Sequence, residues 1–545
     1  MTPCESALAC YDILATIFDH LAPSRPDGYK ETEDLRHSCR KALASSAVAC
    51  STLSHHALNC LWRELDSILP LLKTLPNCKV VDSRLVLCGA IWDEQWTRFQ
   101  LYADRVRVIE TLAGLSGPGP VVHPIHPSVW LCLAVRCRGS PLMPRLRELR
   151  AYDLDISEPS AFVILMSPTL RLLDIIFALE GEEEDCQIAP HVASSLLQTL
   201  PFMAPNLETY IYEVDISPSH GYIEAFRQFT RLKKLIIGES NLDLDEHALR
   251  ILSTVPTLRD LSCTIDFPSS SSLALPQRMF QQLTALDVTG YFDHLTAFIH
   301  ACQLSNLARI TLRIEQRPRA GEPVDLFAAV CQCCNPASLT SLSVGILYAA
   351  IPSEPRPKCL MEYFEPLLAI SNMKLFQLDF SFIMPSINDD DLARFGAAWP
   401  QLSSFRVSNF HGKCSDPELA RPSLSGLIEL ARRCPHLDSF RVPELDASVV
   451  PEKTAALPLG HGLRALETSH NVILPAPLPD SESSMHLEEV ATVLNRVFPS
   501  IDLEGARERP RGDSDAQGWH EILRLSEAMR LQVGCETGGM YPGQP

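Results

Sequence analysis

A chain of 545 residues carrying 47 basic and 66 acidic side chains, net −19, is too long for one hydrophobic core and lacks the positive field that a phosphate-tracking nucleic-acid surface needs. A hydrophobic share of 46% with a charged share of 21% excludes global disorder. No stretch reaches the roughly 20 consecutive apolar residues that span a bilayer, so no membrane partner is expected.

From the N-terminus, Tyr11, Leu14, Ile17, Phe18 and Leu21 recur at helical spacing and predict an amphipathic helix ending near Pro23. The polar segment Ser24 to Arg36 reads as an exposed loop. Leu43, Ala47, Val48, Cys50 and Leu53 then mark a second helix, and Ala57, Leu58, Leu61, Trp62 and Leu65 a third. Residues 1–75 are thus expected to form three helices around one small core.

This segment resembles the F-box, a three-helix module. The resemblance rests on the apolar opening Ile13-Leu14-Ala-Thr-Ile17-Phe18-Asp-His-Leu21, the small-residue helix Ala47-Val48-Ala49-Cys50-Ser51-Thr52-Leu53, and the closing aromatic in Leu61-Trp62-Arg63-Glu64-Leu65. The usual Leu-Pro opening is absent, as in degenerate F-boxes of the fungal type. The resemblance implies docking onto a Skp-family adaptor and, through it, a cullin-RING ubiquitin ligase, with Ile13, Leu14, Ile17, Phe18, Val48 and Trp62 as adaptor contacts. The same residues could instead fill the core of a helical cap on the rest of the chain.

Residues 76–142 form a connecting region. Val80-Val81 and Leu85-Val86-Leu87 suggest short strands, Ser116-Gly-Pro-Gly-Pro120 with Pro124 and Pro127 suggests a loop, and degenerate first repeats could lie here.

From residue 143 to 504 one phrase recurs: an apolar anchor, two variable residues, an apolar residue, one variable residue and a third apolar residue. It is plainest at Leu232-Lys-Lys-Leu235-Ile-Ile237. Anchors fall at Leu146, Leu170, Leu207, Leu232, Leu258, Leu283, Leu307, Leu339, Leu375, Leu402, Leu437, Leu463 and Phe498, at intervals of 24 to 37 residues. The shortest intervals match the leucine-rich-repeat period. Pro144, Pro168, Pro205, Pro256, Pro400 and Pro435 each stand two residues before an anchor, where proline ends a helix and launches a strand. Helical faces alternate with the strands, led by capping residues in Asp243-Leu-Asp-Glu246, at Asn388 and at Ser423. The expected fold is α/β: a helical module followed by an irregular leucine-rich-repeat solenoid, with parallel strands on the concave side and helices on the convex side. The Asn or Cys of regular repeats, nine positions in, is mostly missing, which predicts an uneven array.

Period-2 alternation assigns one concave row to Asp287, Thr311, Ser343, Asp379, Arg406, Arg441, Glu467 and Asp502, with Arg309 and Arg313 beside it. Arg309, Arg313, Asp379, Arg406 and Arg441 are the candidate target-binding residues. Arg406 and Arg441 should lie side by side, where they could grip a carboxylate or phosphate. Alternatively, Asp379 and Glu467 neutralise them.

No phosphate-binding loop, nucleophile elbow, zinc-protease or dinucleotide motif occurs, so no catalytic residue, cofactor or metal is assigned. Cys331-Gln-Cys333-Cys334 has no second Cys/His pair at zinc spacing and reads as packing, like most of the 19 cysteines. One of His55 and His56, on the third helix, should be exposed. The acidic run 180–185 and the Pro/Ser stretches 268–276 and 475–484 read as solvated loops. Residues 505–545 contain an amphipathic stretch (Trp519, Ile522, Leu523, Leu525, Met529, Leu531) and are otherwise expected to be a disordered tail. The start lacks a secretory signal. The expectation is therefore a non-catalytic cytoplasmic or nuclear protein: a target-recognition subunit of a Skp-cullin-F-box ligase, or a ligase-independent interaction scaffold.

Overall fold

The structure is a computed structural model describing residues 10–22, 31–111, 124–155, 159–178, 185–214, 222–238, 243–267, 276, 278–316, 319, 321–347, 359–381, 385–409, 420–451, 460–473, 480–503 and 517–537. Two compact units result, residues 1–243 with 251–258 and residues 244–250 with 259–545. The expected loops at 116–120, 180–184, 268–275 and 475–479 lie outside the described residues. Among the described residues, no helix is long and apolar enough to cross a membrane.

The first unit opens with α1 (Tyr11–His20), α2 (Glu31–Ala49) and α3 (Ser51–Leu61). Leu14, Phe18, Leu43, Ala57 and Cys60 form their shared core; helical spacing predicts all of these but Cys60, whereas Leu65, expected on the third helix, lies beyond it in the strand Glu64–Leu65. The polar loop expected to reach Arg36 stops sooner, because α2 begins at Glu31. Arg36 and Arg40 on that helix both hold Asp66, so a polar segment gains a fixed docking point. Cys50, at φ −159 and ψ 161, is extended and separates α2 from α3.

The parallel strands that follow are β1 (Glu64–Leu65), β2 (Val108–Ile109), β3 (Glu148–Asp155), β4 (Leu172–Ala178), β5 (Thr209–Val214) and β6 (Lys234–Ile237). Each is parallel to the next. Glu64 pairs with Val108 and Val108 with Glu148, so Trp62 and Val106 occupy the anchor position that Leu146 holds in the next repeat. Two short repeats therefore precede the first anchor that the sequence makes countable. Between them stand an antiparallel hairpin, Cys78–Val81 with Arg84–Leu87, and α4 (Asp93–Ala103). Pro127, expected in a loop, instead starts the helix Pro127–Cys137. At the first helical position its missing N–H loses no hydrogen bond, and His126 Nδ1 accepts from the Ser128 N–H at 3.2 Å.

The second unit contains β7 (Asp260–Ile265), β8 (Ala285–Gly290), β9 (Arg309–Ile314), β10 (Ser341–Ile346), β11 (Leu375–Phe380), β12 (Ser404–Asn409), β13 (Ser439–Asp446) and β14 (Ala465–Ile473). They too are parallel in sequence order. Helices Phe292–Ala301, Glu322–Cys333, Asp389–Ala398 and Leu424–Arg433 join successive strands. This strand-turn-helix unit, repeated with parallel register, is a leucine-rich-repeat solenoid of the α/β class. Anchors such as Leu283, Leu307, Leu339, Leu402, Leu437 and Leu463 are 0 to 1% exposed. Burying each is worth about 1.5–3 kcal/mol, gained only when the neighbouring repeat is in place.

Register corrects the frame of two repeats. Ser341 pairs with Leu375 and Leu375 with Ser404, so Leu375 occupies a variable position and Met373, fully buried, is the anchor. Asp502 N–H bonds to Arg464 O at 2.8 Å, which makes Ile501 rather than Phe498 the last anchor.

A different ladder replaces the missing interior Asn. The residue just before an anchor donates its side chain to the carbonyl two residues before the preceding anchor. In the first unit Thr169 reaches Pro144 O (3.0 Å) and Asn206 reaches Pro168 O (2.7 Å). In the second, Asn306 reaches Gln281 O (3.0 Å), Ser338 reaches Ser305 O (3.1 Å) and Asn372 reaches Ala337 O (2.8 Å). These bonds tie turn to turn.

The expected helix caps hold at Asn388, in a reciprocal box with Asp391, and at Ser423. Asp245, not Asp243, caps the helix Glu246–Leu252, accepting from the Ala248 N–H at 2.8 Å. The expected tail also departs from the sequence reading. Gln517–Thr537 is a helix that packs on the helix Asp480–Val497, with Trp519, Ile522 and Leu523 buried. Asn495 Nδ2 donates to Ser526 O (2.9 Å), and Arg530 donates to Asn495 Oδ1 (2.9 Å) and Ile501 O (2.8 Å). The last repeat would otherwise leave its apolar side in water, and the amphipathic stretch covers it.

Candidate functional site

The six residues expected at an adaptor interface separate into three groups. Leu14 and Phe18, 2% and 4% exposed, belong to the core of the helical module and present little surface to a partner. Ile13 and Ile17, 44% and 45% exposed, lie one turn apart on α1, and Leu21 continues the stripe at 37%. Val48 on the last turn of α2 is 85% exposed. Trp62 is half-buried, its ring centroid 4.4 Å from that of Tyr102 on α4, so it packs where the helices meet the first rung of the sheet. The short helix α1 thus carries two apolar stripes, one inside and one in solvent.

Among the strands of the second unit, register orders the polar positions that alternate with the buried ones. The row through Asp287 runs Ser262, Asp287, Thr311, Ser343, Gln377, Arg406, Arg441 and Glu467. Gln377 replaces the expected Asp379, which falls in the next row behind Arg313 and Gly345, and Asp502 is not in it. Both changes follow from the corrected anchors.

Arg406 and Arg441 are direct register partners, as the spacing predicts. Arg441 lies 3.6 Å from Glu467, whereas Arg406 Nε and Nη2 each donate to Ser439 Oγ at 3.3 Å. Arg313 pairs with Asp287 at 3.2 Å, and Asp379 accepts from Gln377 Nε2 at 2.7 Å. Arg309 is exposed at the start of β9. The row is thus partly neutralised, through Glu467 but not Asp379.

The first unit has its own polar row, with Glu110 just past β2 and Arg150 and Asp174 paired on β3 and β4. Arg150 Nη1 reaches Glu110 at 2.9 Å and its Nε lies 3.7 Å from Asp174. Glu148 lies 3.9 Å from its Nη2 as well, and three acids around one guanidinium leave no positive field there.

A second feature of this unit escaped the sequence reading. The residues following its first four anchors are Arg63, Arg107, Arg147 and Arg171, and each of the last three donates its N–H to the carbonyl of the arginine before it: Arg107 to Arg63 O (2.8 Å), Arg147 to Arg107 O (2.7 Å) and Arg171 to Arg147 O (2.7 Å). Four arginines therefore stand on consecutive rungs at one edge of the sheet. The signal was the dipeptide step anchor-Arg, at Trp62-Arg63, Val106-Arg107, Leu146-Arg147 and Leu170-Arg171. It is hidden because Trp62 and Val106 do not look like repeat anchors.

The thiols read as packing. Burial pushes Cys331 up to about 11 and Cys334 up to about 12, and the Cys331 thiol donates to Pro366 O at 3.1 Å. His56 is buried against Tyr11, with centroids 4.5 Å apart, while His55 is exposed. Among the described residues no group of three His, Cys, Asp or Glu could hold a metal ion.

No family model matches the sequence, and no curated protein matches it. Among solved structures, the chain is similar to the complex of Rad7 and Elc1 in yeast, at 14% identity over 72% of this chain and 95% of that one, with a TM-score of 0.33. It is also similar to an internalin from Listeria monocytogenes, at 14% identity over 68% and 92% with a TM-score of 0.30. A third similarity is to the mouse RP105/MD-1 complex, at 13% identity over 74% and 71% with a TM-score of 0.32. The fold assignment rests on the strand register of the chain itself.

Proposed function

We propose that this chain is a non-catalytic target receptor of a Skp-cullin-F-box-type ubiquitin ligase, working in the cytoplasm or nucleus. Its N-terminal helices engage a Skp-family adaptor and its repeats hold a protein to be modified. Such a receptor acts by raising the local concentration of target lysines near an enzyme supplied by other subunits. The observation that carries this reading is the solvent-facing stripe Ile13, Ile17 and Leu21, set beside the buried Leu14 and Phe18. A ten-residue helix that needs only one apolar stripe for its own core exposes another.

The test is co-purification with a Skp-family adaptor and a cullin. Wild type is expected to bring down both. Each lost apolar contact is worth about 1.5–3 kcal/mol, so Ile13→Asp with Ile17→Asp should weaken adaptor binding about tenfold or more. Both positions are exposed, so the fold should survive. Failure of wild type to bind, or full binding by the folded double variant, would remove the ligase reading. A second reading, an interaction scaffold whose helices only cap the array, draws on Trp62 and β1, which fuse the module to the first rung. It predicts target binding with no adaptor.

A further inference from the structure

A cleft of about 250 Å³ lies where the helical module meets the edge of the first sheet. Helices α1 and α3 contribute Tyr11, Phe18 and His56, and the chain entering β2 and β3 contributes Arg105, Arg107 and Arg145, with Arg63 also on the lining. Four arginines thus face two acids, Asp19 and Asp104. Asp19 is already engaged by Arg63 at 2.6 Å.

The remaining guanidinium groups are held in place by neutral partners or by none. Arg105 Nε donates to Asn59 Oδ1 at 2.9 Å, and its Nη1 donates to Leu101 O. Arg107 and Arg145, with Arg147 on the next rung, have no acid partner among the described residues. Burial first, then the charges of Arg147, Arg145 and Arg63, push the Arg107 guanidinium below its ordinary value. By contrast, Arg250, Arg394, Arg432 and Arg433 each hold a carboxylate at 2.5 to 2.7 Å. Rungs about 4.8 Å apart bring neighbouring guanidinium groups within reach of one anion.

We propose that this cleft is a phosphate-binding site, taking a phosphomonoester or diphosphate group between Arg105, Arg107 and Arg145, with Arg147 at its edge. A phosphomonoester carries about −1.5 to −2 charge and three acceptor oxygens. That matches two or more uncompensated guanidinium groups better than a single carboxylate does. The geometry suits a phosphoryl group free in solution and one carried on a peptide equally.

Calorimetric titration of the full chain, with inorganic pyrophosphate in one arm and a phosphoserine peptide with its unphosphorylated form in the other, tests this. Wild type is expected to bind at least one phosphorylated probe saturably, more weakly as salt rises. Binding of pyrophosphate alone assigns a free anion, and binding of the phosphopeptide over its unphosphorylated form assigns a protein-borne one. Arg107→Gln with Arg145→Gln should weaken binding about tenfold or more while leaving the ligand-free thermal midpoint unchanged or higher, since like charges are removed. Should that pair fail to fold, Arg145→Gln alone, at an exposed position, should still weaken binding. Arg432→Gln, remote and paired to Glu429, should not. Absence of saturable binding to either phosphorylated probe, wild-type affinity in the folded variants, or equal binding of phosphorylated and unphosphorylated peptide without any pyrophosphate binding overturns the proposal.

Discussion

A Cβ built on Gly426 would stand 2.1 Å from Asp389 Oδ1, and that carboxylate accepts from the Ser423 N–H at 2.7 Å and the Ser423 hydroxyl at 2.6 Å. Ser423 in turn caps the helix Leu424–Arg433, so Asp389 on one repeat fixes the start of the next repeat's helix. Replacing glycine by alanine inside a helix ordinarily gains up to about 1 kcal/mol. Here it displaces a carboxylate whose hydrogen bonds are worth about 1.5–3 kcal/mol. Gly426→Ala should therefore lower stability in denaturant unfolding, and in an Asp389→Ala background the same change should become neutral or stabilising. Asp66 gives a pH test. Its partial burial raises the carboxyl, but the hydrogen bonds and charge of Arg40, with the charge of Arg36, outweigh this and hold it below its ordinary 3.8. A carboxyl depressed in the fold contributes stability above its unfolded value and loses that contribution as pH falls through the folded value. The gap in thermal midpoint between wild type and Asp66→Asn should be present at neutral pH and narrow as pH drops below 3.8.

Elements show which part of a repeat the sequence can announce. Strand and helix periodicity identified most of the anchors and the helix caps at Asn388 and Ser423. The frame at Leu375 was misread because a two-residue slip preserves a period-2 pattern. Only pairing with Ser341 and Ser404 shows that Met373 is the anchor. The terminal helix Gln517–Thr537 was visible as an amphipathic stretch, but its partner surface was not. Trp519 is 3% exposed. Trp519→Ala should cost about 3–5 kcal/mol locally and detach the helix. Limited proteolysis should then release a C-terminal fragment that wild type retains.

At the scale of the whole molecule, the recurring phrase and the helical spacing at the N-terminus determined the class: an α/β repeat array behind a helical module. That much is written locally, because each anchor, each proline stop and each capping residue acts within its own repeat. The candidate surfaces were legible only in part. Alternation placed Arg406 beside Arg441 correctly, yet put Asp379 one row away from where it lies, since register depends on insertions that differ between repeats. The F-box resemblance listed Leu14, Phe18, Ile13 and Ile17 together, and only packing against Leu43, Ala57 and Cys60 divided them into core and surface. Tertiary structure alone decided the arginine edge. Trp62, Val106 and Leu146 share one register position although 44 and 40 residues separate them, and pairing across such distances leaves no periodic trace in a linear chain.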